Sequence, residues 1–319
     1  MIPVYPPSFY QSTFLVTGGA GFIGSHIVRR LVHNGAHVRV LDLLTSGRRE
    51  NLADVIDRID LIVGDICDPD TVRGAVKGVD HVLHLAALAS VSQSIDDPDL
   101  NFRVNLGGTH TLLMAARDAR VRRFVFSSSA AVYGHHPAPH HEGLAPHALS
   151  PYAAAKLGSE LLCQAFTHSY GLPTVCLRYF NVFGPRQNPN SDYAAVIPIF
   201  ITRVLNGQRP RIYGDGLQSR DFVYVENVVE ANLRACESDA ANGGVFNIGA
   251  GRETNLLELL RIITEVVGQS IEPEFAPPRP GEVRHSFSDI SRAGTVLGYR
   301  VAVDLAEGLR QTIDWYRTS

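Results

Sequence analysis

The feature that most constrains this chain is a glycine-rich turn near its beginning. Gly18, Gly21 and Gly24 follow an apolar, β-branched run at 13–17, and a helical pattern then continues to His33. A side chain at Gly18 would obstruct a tight turn, and one at Gly21 would hold a phosphate away from the backbone. One at Gly24 would push the helix off the strand. The spacing therefore predicts a strand, a turn and a helix whose N-terminus holds a pyrophosphate.

An acidic residue at the end of the next apolar run refines this prediction. Asp42 directly follows the run 38–41. A carboxylate at this position accepts hydrogen bonds from a ribose diol and repels a 2′-phosphate. The turn and Asp42 together predict NAD, and not NADP, as the cofactor.

Apolar runs alternate with helical patterns along the first 180 residues. This alternation predicts an α/β fold with a doubly wound parallel sheet of the Rossmann type. The expected strands are 14–17, 38–41, 61–63, 81–85, 123–127 and 174–178, and two expected helices are 101–118 and 151–170. We assign residues 1–180 to the NAD-binding domain. Residues 181–319 form mainly a smaller substrate-binding lobe, with segments that return to the first domain.

Composition and charge argue against several classes of function. The chain has 319 residues, a formal net charge of −3 and no block of basic residues, so we expect no nucleic-acid or membrane partner. Residues 1–12 lack the basic and apolar regions of a signal peptide. The four cysteines lie far apart without a CxxC pair. They predict reduced core residues in a cytoplasmic protein, and not a metal site.

Two further strand ends carry residues that suit a ligand. Asp65 and Ile66 follow the third strand and are placed to meet an adenine ring, although Asp65 equally suits the cap of a helix that begins near Pro69. The fourth strand ends in the small residues Ala86 and Ala87. Small residues there let a ligand approach the edge of the sheet where open α/β folds bind their ligands.

A tyrosine and a lysine at helical spacing suggest proton transfer. Tyr152 and Lys156 lie on one face of the expected helix, downstream of the serine run 127–129. A tyrosine that accepts a proton near neutral pH needs a pKa ~3 units below its usual value of about 10, which takes roughly 4 kcal/mol. An ammonium group one turn away and a nicotinium charge can supply this stabilisation. A surface tyrosine and lysine are common, so the pair gains its weight from the glycine turn and Asp42.

A histidine-rich stretch, 135–141, follows the serine run. Histidines at this density suggest a metal site. Prolines interrupt them, however, and no pattern of carboxylates accompanies them. We therefore expect a mobile, solvated loop and no metal.

These motifs together resemble an extended short-chain dehydrogenase/reductase of the nucleotide-sugar 4-epimerase branch, over nearly the whole chain from Thr13 to about Trp315. The resemblance implies that Ser129, Tyr152 and Lys156 are the catalytic residues. It implies cofactor contacts at Gly18, Gly21, Phe22, Ile23, Gly24, Asp42, Asp65, Ile66, Ala86, Ala87, Asn105, Ser127, Tyr152, Lys156 and Tyr179. It implies substrate contacts at Ser90, Ser128, Ser129, Asn181, Ala195, Val196, Tyr213, Arg220, Arg279, Glu282 and Ser286. It also implies a homodimer formed through the helices 101–118 and 151–170.

The resemblance assigns roles to several residues of the substrate lobe. Tyr213 flanks a uracil ring, Arg220 and Arg279 hold a diphosphate, and Glu282 contacts the uridine ribose. Two arginines suit the charge and the planar geometry of such a group. Surface ion pairs are the alternative interpretation for each arginine.

Two departures from the family pattern bear on the reaction. Ala130 and Ala131 follow Ser129 where sugar dehydratases and UDP-glucuronate decarboxylases carry acids, so a general acid for elimination is missing. Ala131 also replaces the threonine that is common in UDP-glucose epimerases. Ser286 stands where those enzymes place a bulky tyrosine, which leaves room for an N-acetyl group. Arg186 lies in a run, 184–187, that a UDP-uronate epimerase shares, so it either pairs with a C6 carboxylate or has a structural role.

The resemblance implies an NAD-dependent 4-epimerase of UDP-hexoses. Tyr152 removes the proton of the 4-hydroxyl while hydride leaves C4 for NAD, the 4-keto sugar turns over, and hydride returns to its other face. UDP-GlcNAc and UDP-GalNAc are the favoured substrates, with UDP-Glc and UDP-Gal as further candidates. A UDP-glucuronate 4-epimerase, a net nucleotide-sugar oxidoreductase and a non-catalytic dinucleotide sensor are the alternatives.

Overall fold

The computed structural model describes residue 5 and residues 7–189, 195–278 and 283–318. Within these ranges the strands are β1 (Thr13–Thr17), β2 (His37–Asp42), β3 (Ile59–Val63), β4 (His81–His84), β5 (Arg123–Ser129), β6 (Thr174–Tyr179), β7 (Asn181–Phe183), β8 (Arg211–Tyr213), β9 (Ser219–Arg220), β10 (Phe222–Tyr224), β11 (Gly244–Ile248), β12 (Thr254–Asn255), β13 (Glu274–Ala276) and β14 (His285–Ser286). The α-helices are α1 (Pro7–Tyr10), α2 (Phe22–His33), α3 (Pro69–Val76), α4 (Val91–Asp96), α5 (Pro98–Asn101), α6 (Thr109–Asp118), α7 (Pro151–Tyr170), α8 (Val196–Leu205), α9 (Val225–Glu237), α10 (Leu256–Val267), α11 (Ser291–Val296) and α12 (Leu305–Thr318).

Seven parallel strands form the central sheet, in the order β11-β6-β5-β4-β1-β2-β3. The strand order reverses between β1 and β4, so the two connections that leave this point cover opposite faces of the sheet. All carboxyl ends meet at one edge, which brings together the residues that follow β1, β2, β4, β5 and β6. The predicted doubly wound Rossmann fold is confirmed.

Alternation along the strands accounts for the two layers that cover the sheet. Val16 and Val40 point into one apolar core, whereas their neighbours Leu15 and Leu41 point into the core on the other face. All four side chains are fully buried. This burial on both faces is why the strands appear in the sequence as nearly continuous apolar runs.

Helix α7 has the bounds predicted for it, because both of its ends carry capping residues. Ser150 Oγ accepts a hydrogen bond from the Ala153 N–H, and Pro151 occupies the first turn, where no N–H is needed. Gly171 ends the helix in the left-handed conformation, with φ of 69°.

The predicted helix 101–118 is wrong as a single α-helix. The chain instead runs from α5 through a π-helix, Phe102–Gly108, into α6. The Asn105 carbonyl explains the break: it accepts hydrogen bonds from Thr109 Oγ1 at 2.6 Å and from Ser159 Oγ at 3.0 Å. These two hydroxyls occupy the acceptor within the widened turn. π-turns of this kind are common at functional sites.

The C-terminal third combines short strands with a separate apolar core. β12, β9 and β14 form a three-stranded sheet, while β8 pairs with β13 and β7 with β10. Helices α8, α10 and α12 enclose the core of this region. β11, which no predicted strand anticipated, returns to the central sheet beside β6. Within the ranges described, no helix combines the length and the apolar character that crossing a membrane requires.

Candidate active site

The glycine turn has the geometry that the spacing predicts. Gly18 has φ of +68°, and a Cβ atom there would lie 2.7 Å from the Ala86 nitrogen. A Cβ atom at Gly24 would lie 2.2 Å from the Gly18 oxygen, so the start of α2 packs directly on the turn. At Gly21 the space is open apart from that same oxygen at 3.1 Å. The backbone here can therefore approach a pyrophosphate at the N-terminus of α2.

Asp42 is the last residue of β2, and its carboxylate is held in place by the backbone. It accepts hydrogen bonds from the Ala20 N–H at 2.9 Å and from the Leu44 N–H at 2.8 Å. A Cβ atom at Gly47 would lie 2.8 Å from both carboxylate oxygens, so only a glycine leaves this space free. No pattern in the sequence singled out Gly47. The arrangement fits the ribose diol of NAD.

The residues after β3 exclude one of the two roles that the sequence left open for Asp65, and its contact with an adenine ring stays a prediction. Asp68 caps α3, because its carboxylate accepts from the Asp70 and Thr71 N–H groups. Asp65 accepts instead from the Cys67 N–H at 2.8 Å. The alternative of Asp65 as the helix cap is therefore wrong. Val63 is 51% exposed at the end of β3, which offers an apolar surface for an adenine ring.

The structure brings the three predicted catalytic side chains together. Tyr152 lies in the first turn of α7, and its N–H donates to Ser94 Oγ at 3.1 Å. Ser129 ends β5, and its side chain lies near enough to the Tyr152 hydroxyl to favour the phenolate. The ammonium group of Lys156 donates to the Ser127 carbonyl at 2.8 Å and lies 5.9 Å from the centre of the Tyr152 ring. Together these three side chains can receive a proton and stabilise the charge that results.

Burial shifts the pKa values of these groups in opposite directions. Desolvation raises the pKa of Tyr152, and the neighbouring Ser129 hydroxyl opposes this rise. Desolvation lowers the pKa of Lys156 to about 8, with the charge of Glu160 opposing the fall. The protein alone does not lower the pKa of Tyr152 as the sequence argument required. A positive charge near the phenol, of the kind a nicotinium ring supplies, is needed for that.

Tyr179 and Ser127 lie deeper, at the end of β6 and within β5. Their hydroxyl groups share a hydrogen bond of 3.0 Å. The Tyr179 hydroxyl also donates to the Asn232 side-chain oxygen at 3.0 Å. Asn232 lies on α9, far away in the sequence, and no local pattern indicated it. This network fixes the Tyr179 ring at the edge of the sheet predicted to hold the cofactor.

Asn105 supports the loop after β4 through both atoms of its amide. Its oxygen accepts from the Leu88 N–H at 2.8 Å, and its nitrogen donates to the Leu88 carbonyl at 3.0 Å. This loop contains Ala86 and Ala87. Asn105 therefore shapes the ligand edge with its side chain, and a direct contact with NAD stays a prediction.

A buried chain of polar groups that the sequence analysis missed continues from this loop. His84 lies between Thr17 and Thr109, with one ring nitrogen 2.7 Å from Thr17 Oγ1 and the other 2.9 Å from Thr109 Oγ1. Desolvation lowers the pKa of His84 to about 3, so the imidazole is neutral. The chain links the glycine turn to the π-helix.

Predicted substrate residues surround the same edge from the C-terminal side. Ser286 on β14 pairs with Arg220 on β9, and Asn181 opens β7 with its N–H donated to the Asp221 carbonyl. Ser90 caps α4, Ala195 and Val196 begin α8, and Tyr213 ends β8. Arg279 and Glu282 lie outside the described residues, as do Tyr193 and Ala194.

Ser128 points away from the other serines of its strand. Its hydroxyl donates to Glu160 at 2.5 Å, and Glu160 also accepts from Arg178 at 2.9 and 2.7 Å. The hydroxyl of Ser128 is thus engaged within the protein. Substrate binding by Ser128 stays a prediction, and only its backbone is free to make that contact.

Arg186 lies beside helix α2. Its guanidinium nitrogen is 3.4 Å from a ring nitrogen of His26, and desolvation, followed by the charge of Arg29, lowers its pKa. Arg186 also has φ of +69°. These contacts favour the structural alternative over a contact with a sugar carboxylate.

The histidine-rich loop is only partly solvated. His140 is 1% exposed and stacks on Tyr133, with the ring centres 4.8 Å apart. The His140 N–H donates to the Phe287 carbonyl, one residue after β14. The expectation of a solvated loop is therefore wrong for His140, which pairs with the residues that directly follow β14. Across the described ranges, no three His, Cys, Asp or Glu side chains cluster as metal ligands.

Comparisons with known proteins agree with this geometry. The chain is 43% identical to a UDP-glucose 4-epimerase of Mycolicibacterium smegmatis over 95% of this chain and 98% of the relative. It matches the structure of a UDP-N-acetylglucosamine 4-epimerase from Methanobrevibacter ruminantium at a TM-score of 0.93 and 42% identity, covering 97% and 99% of the two chains. It also matches the structure of a UDP-glucose 4-epimerase from Thermotoga maritima at a TM-score of 0.91 and 40% identity. This match covers 96% of this chain and 99% of the other.

Other relatives carry out different reactions or use different sugars. Proteins named dTDP-glucose 4,6-dehydratase and UDP-glucuronic acid 4-epimerase also match this chain. A sequence model described as the NAD dependent epimerase/dehydratase family matches residues 14–249. The chain belongs to this family, and NAD, which the glycine turn and Asp42 predicted, is its cofactor.

Proposed function

We propose that this protein is an NAD-dependent 4-epimerase that interconverts UDP-N-acetylglucosamine and UDP-N-acetylgalactosamine. The enzyme class predicted from the sequence, a nucleotide-sugar 4-epimerase, is confirmed by the relatives that share 40–43% of their residues with this chain. The observation that carries the chemistry is the position of Tyr152 in the first turn of α7, beside Ser129 and one turn before Lys156.

The three side chains divide the proton transfer between them. Tyr152 accepts the proton of the sugar 4-hydroxyl, and Ser129 donates a hydrogen bond to the same oxygen. Lys156 supplies a positive charge that favours the phenolate of Tyr152. On the return step Tyr152 gives the proton back to the 4-oxygen.

The cofactor side of the site is built to hold NAD throughout turnover. Gly18, Gly21 and Gly24 shape the backbone for the pyrophosphate, and Asp42 accepts from the adenosine ribose. NAD, when bound, supplies the acceptor and donor of the C4 hydride. Because the hydride returns to the sugar, an epimerase needs no added cofactor once NAD is in place.

Inversion at C4 requires the 4-keto sugar to present its second face while the nucleotide stays bound. Arg220 suits the diphosphate, and its Nη1 already donates to the Ser219 carbonyl at 2.8 Å, which fixes its stem on β9. Arg279 is a second candidate from the sequence. A bound diphosphate prevents loss of the keto intermediate while the sugar turns.

The sugar preference rests on Ser286. This residue pairs with Arg220 in neighbouring strands, so it lies next to the proposed diphosphate site. Its short side chain leaves space where a tyrosine would meet the substituent at C2 of the sugar. The UDP-N-acetylglucosamine 4-epimerase of M. ruminantium matches at a TM-score of 0.93, which supports this choice. UDP-glucose is the next candidate.

Proton NMR of the purified protein without added NAD tests the proposal. UDP-GlcNAc, UDP-glucose and UDP-glucuronate are supplied separately, and the galacto anomeric signal is followed. We expect conversion of UDP-GlcNAc at the highest kcat/KM. Conversion of UDP-glucose alone would contradict the role of Ser286.

Three other outcomes would replace the proposal. Conversion of UDP-glucuronate alone would assign Arg186 to the sugar carboxylate despite its contact with His26, and R186Q would then abolish that activity. Steady formation of NADH when NAD is added would indicate a net oxidoreductase. Absence of turnover with all three sugars would favour a dinucleotide sensor.

A further inference from the structure

Helix α7 and strand β5 are joined by three consecutive polar contacts. Tyr152, Lys156 and Glu160 stand at intervals of one turn on α7, and each contacts one residue of the serine run on β5. Tyr152 lies beside the Ser129 side chain, Lys156 donates to the Ser127 carbonyl, and Glu160 accepts from Ser128 Oγ. Family resemblance gave the first two residues a catalytic role. The third contact has no assigned function.

Glu160 makes more side-chain hydrogen bonds than Tyr152 or Lys156. It is 2% exposed, and its two oxygens accept one hydrogen bond from Ser128 and two from Arg178. Arg178 faces Ser128 across the β5–β6 pair and precedes Tyr179. Glu160 therefore ties α7 to two strands at once, directly beside Ser129 and Tyr179. A buried carboxylate in an ion pair adds little net stability. What Glu160 contributes here is the fixed position of α7 on the two strands.

Glu160 also acts on Lys156 through charge. The titratable groups that face Lys156 are Tyr152, Glu160 and Cys163 on its own helix and His84 on β4. Of these, His84 is neutral, because burial lowers its pKa to about 3. The Glu160 carboxylate, followed by Cys163, counters the desolvation of the Lys156 ammonium group.

We propose that Glu160 is a positioning residue of the active site. It holds α7 in register on β5 and β6, so that Tyr152 and Ser129 reach one substrate oxygen, and it keeps Lys156 in the ammonium form. The catalytic part of this inference rests on the proposed 4-epimerase reaction. The effect on Lys156 does not, because it can be measured without a substrate.

The sequence makes that measurement simple. Lys77 and Lys156 are the two lysines of the chain, and Lys77 lies on the surface. Protein labelled with ¹³C at the lysine Cε position gives two resonances, and K156R identifies which belongs to Lys156. Titration of the wild type is expected to give a midpoint near pH 8 for Lys156.

The test compares E160Q with E230Q. Glu230 is a matched control, since it is 7% exposed and accepts from Arg234 at 2.7 Å and from Tyr5 at 2.8 Å, on α9 away from Lys156. In E160Q the Lys156 midpoint should fall by about one pH unit, because an opposite charge is lost. In E230Q it should stay where it is in the wild type, although both variants unfold at lower temperature.

Kinetics on the sugar that the wild type converts form the second readout. We expect E160Q to lower kcat by ~10–100-fold, as a displacement of about 1 Å would, with KM changed less than about twofold. If E160Q fails to fold, S128A tests the same contact while leaving the Glu160–Arg178 pair intact. It should lower kcat several-fold without changing KM.

Two results would overturn the inference. One is a Lys156 midpoint in E160Q equal to that of the wild type. The other is a kcat in E160Q and S128A that falls no further than in E230Q. An inactive wild type would instead contradict the proposed function, and the lysine titration would still decide the role of Glu160.

Discussion

The cofactor side and the substrate side of this site are built in different ways. On the cofactor side, strands of four to seven residues pair in one parallel sheet, and its charged groups are buried: Asp42 is 8% exposed and Lys156 4%. On the substrate side, β9 and β14 are two residues long. The ion pair between Arg284 and Asp215 beside them leaves 59% and 49% of the two side chains exposed.

The difference teaches where chemistry and specificity reside. A large sheet with buried polar contacts resists displacement, so it can hold Ser129, Tyr152 and Lys156 to the tolerance that proton transfer needs. Short, exposed strands carry few contacts that a substitution would break. Changes on the cofactor side should therefore reduce turnover of every sugar, whereas changes on β14 should redistribute turnover among sugars.

The largest effect is expected at Tyr152. Y152F removes the proton acceptor but keeps the ring, so kcat should fall by ~10²–10⁴-fold with every UDP-sugar that the wild type converts. The control is Y170F, which alters an exposed tyrosine at the other end of α7. NMR conversion assays report both. Near-normal turnover in Y152F would exclude the proposed mechanism.

The glycine turn gives the next largest effect. G18A and G35A both place a Cβ atom at positive φ, of +68° and +89°, which costs about 1–2 kcal/mol in either variant. Only at Gly18 does that atom meet the backbone of Ala86, whereas nothing lies within 4 Å of it at Gly35. G18A should therefore lose its NAD as well as stability, measured as NAD content and unfolding temperature. Equal NAD content in the two variants would contradict the packing argument.

A substitution on β14 tests the other side of the comparison. S286Y should reduce kcat/KM for UDP-GlcNAc relative to UDP-glucose by ~10–200-fold, the range that the fit of a small substituent spans. S286A keeps the space open and should keep the preference of the wild type. If S286Y lowered turnover of both sugars equally, β14 would affect the reaction itself, as the cofactor side does, and not the choice of sugar.

The smallest predicted effect is a dependence on pH in the wild type. Burial lowers the pKa of Lys156 from its usual value to about 8, so the ammonium group is lost as the pH rises through 8. A kcat profile should therefore fall above about pH 8. The free energy of unfolding should change in the opposite sense. Between pH 8 and the ordinary lysine pKa, the unfolded chain binds more protons than the folded chain does. The contribution of Lys156 to the free energy of unfolding therefore rises with pH over this range.

Chemical denaturation at several pH values measures the second trend. A lysine whose charge was favoured by folding would give a constant contribution over this range and a falling one only above the ordinary lysine pKa. A flat kcat profile up to pH 10 would contradict the role of the Lys156 charge.

Local signals in the sequence were sufficient for the glycine turn, Asp42 and α7 on the cofactor side. Ser150 and Gly171 mark both ends of α7, and Asp42 ends an apolar run, so these features could be placed from short stretches. The alternation of side chains along a strand also separates Ser128 from Ser127 and Ser129. Applied to β5, it would have removed the Ser128 hydroxyl from the list of substrate contacts.

Long-range contacts account for what the sequence could not give. The π-helix depends on Ser159, which reaches the Asn105 carbonyl from another helix. β11 finds its place only beside β6, and the histidine-rich loop is ordered by Phe287 and Asn247. For the contact between Glu160 and Ser128, the one indication in the sequence was that Glu160 follows Lys156 by four residues.

A substrate labelled at the reacting carbon tests the central claim most directly. UDP-GlcNAc carrying deuterium at C4 is incubated with the protein in ordinary water, without added NAD, and the product is analysed by NMR. If oxidation and reduction occur at C4 on one bound sugar, UDP-GalNAc will form with its deuterium retained at C4. Product in which solvent hydrogen has replaced the deuterium would contradict this account, because it would mean that C4 loses a proton to water instead of passing its hydrogen through the site.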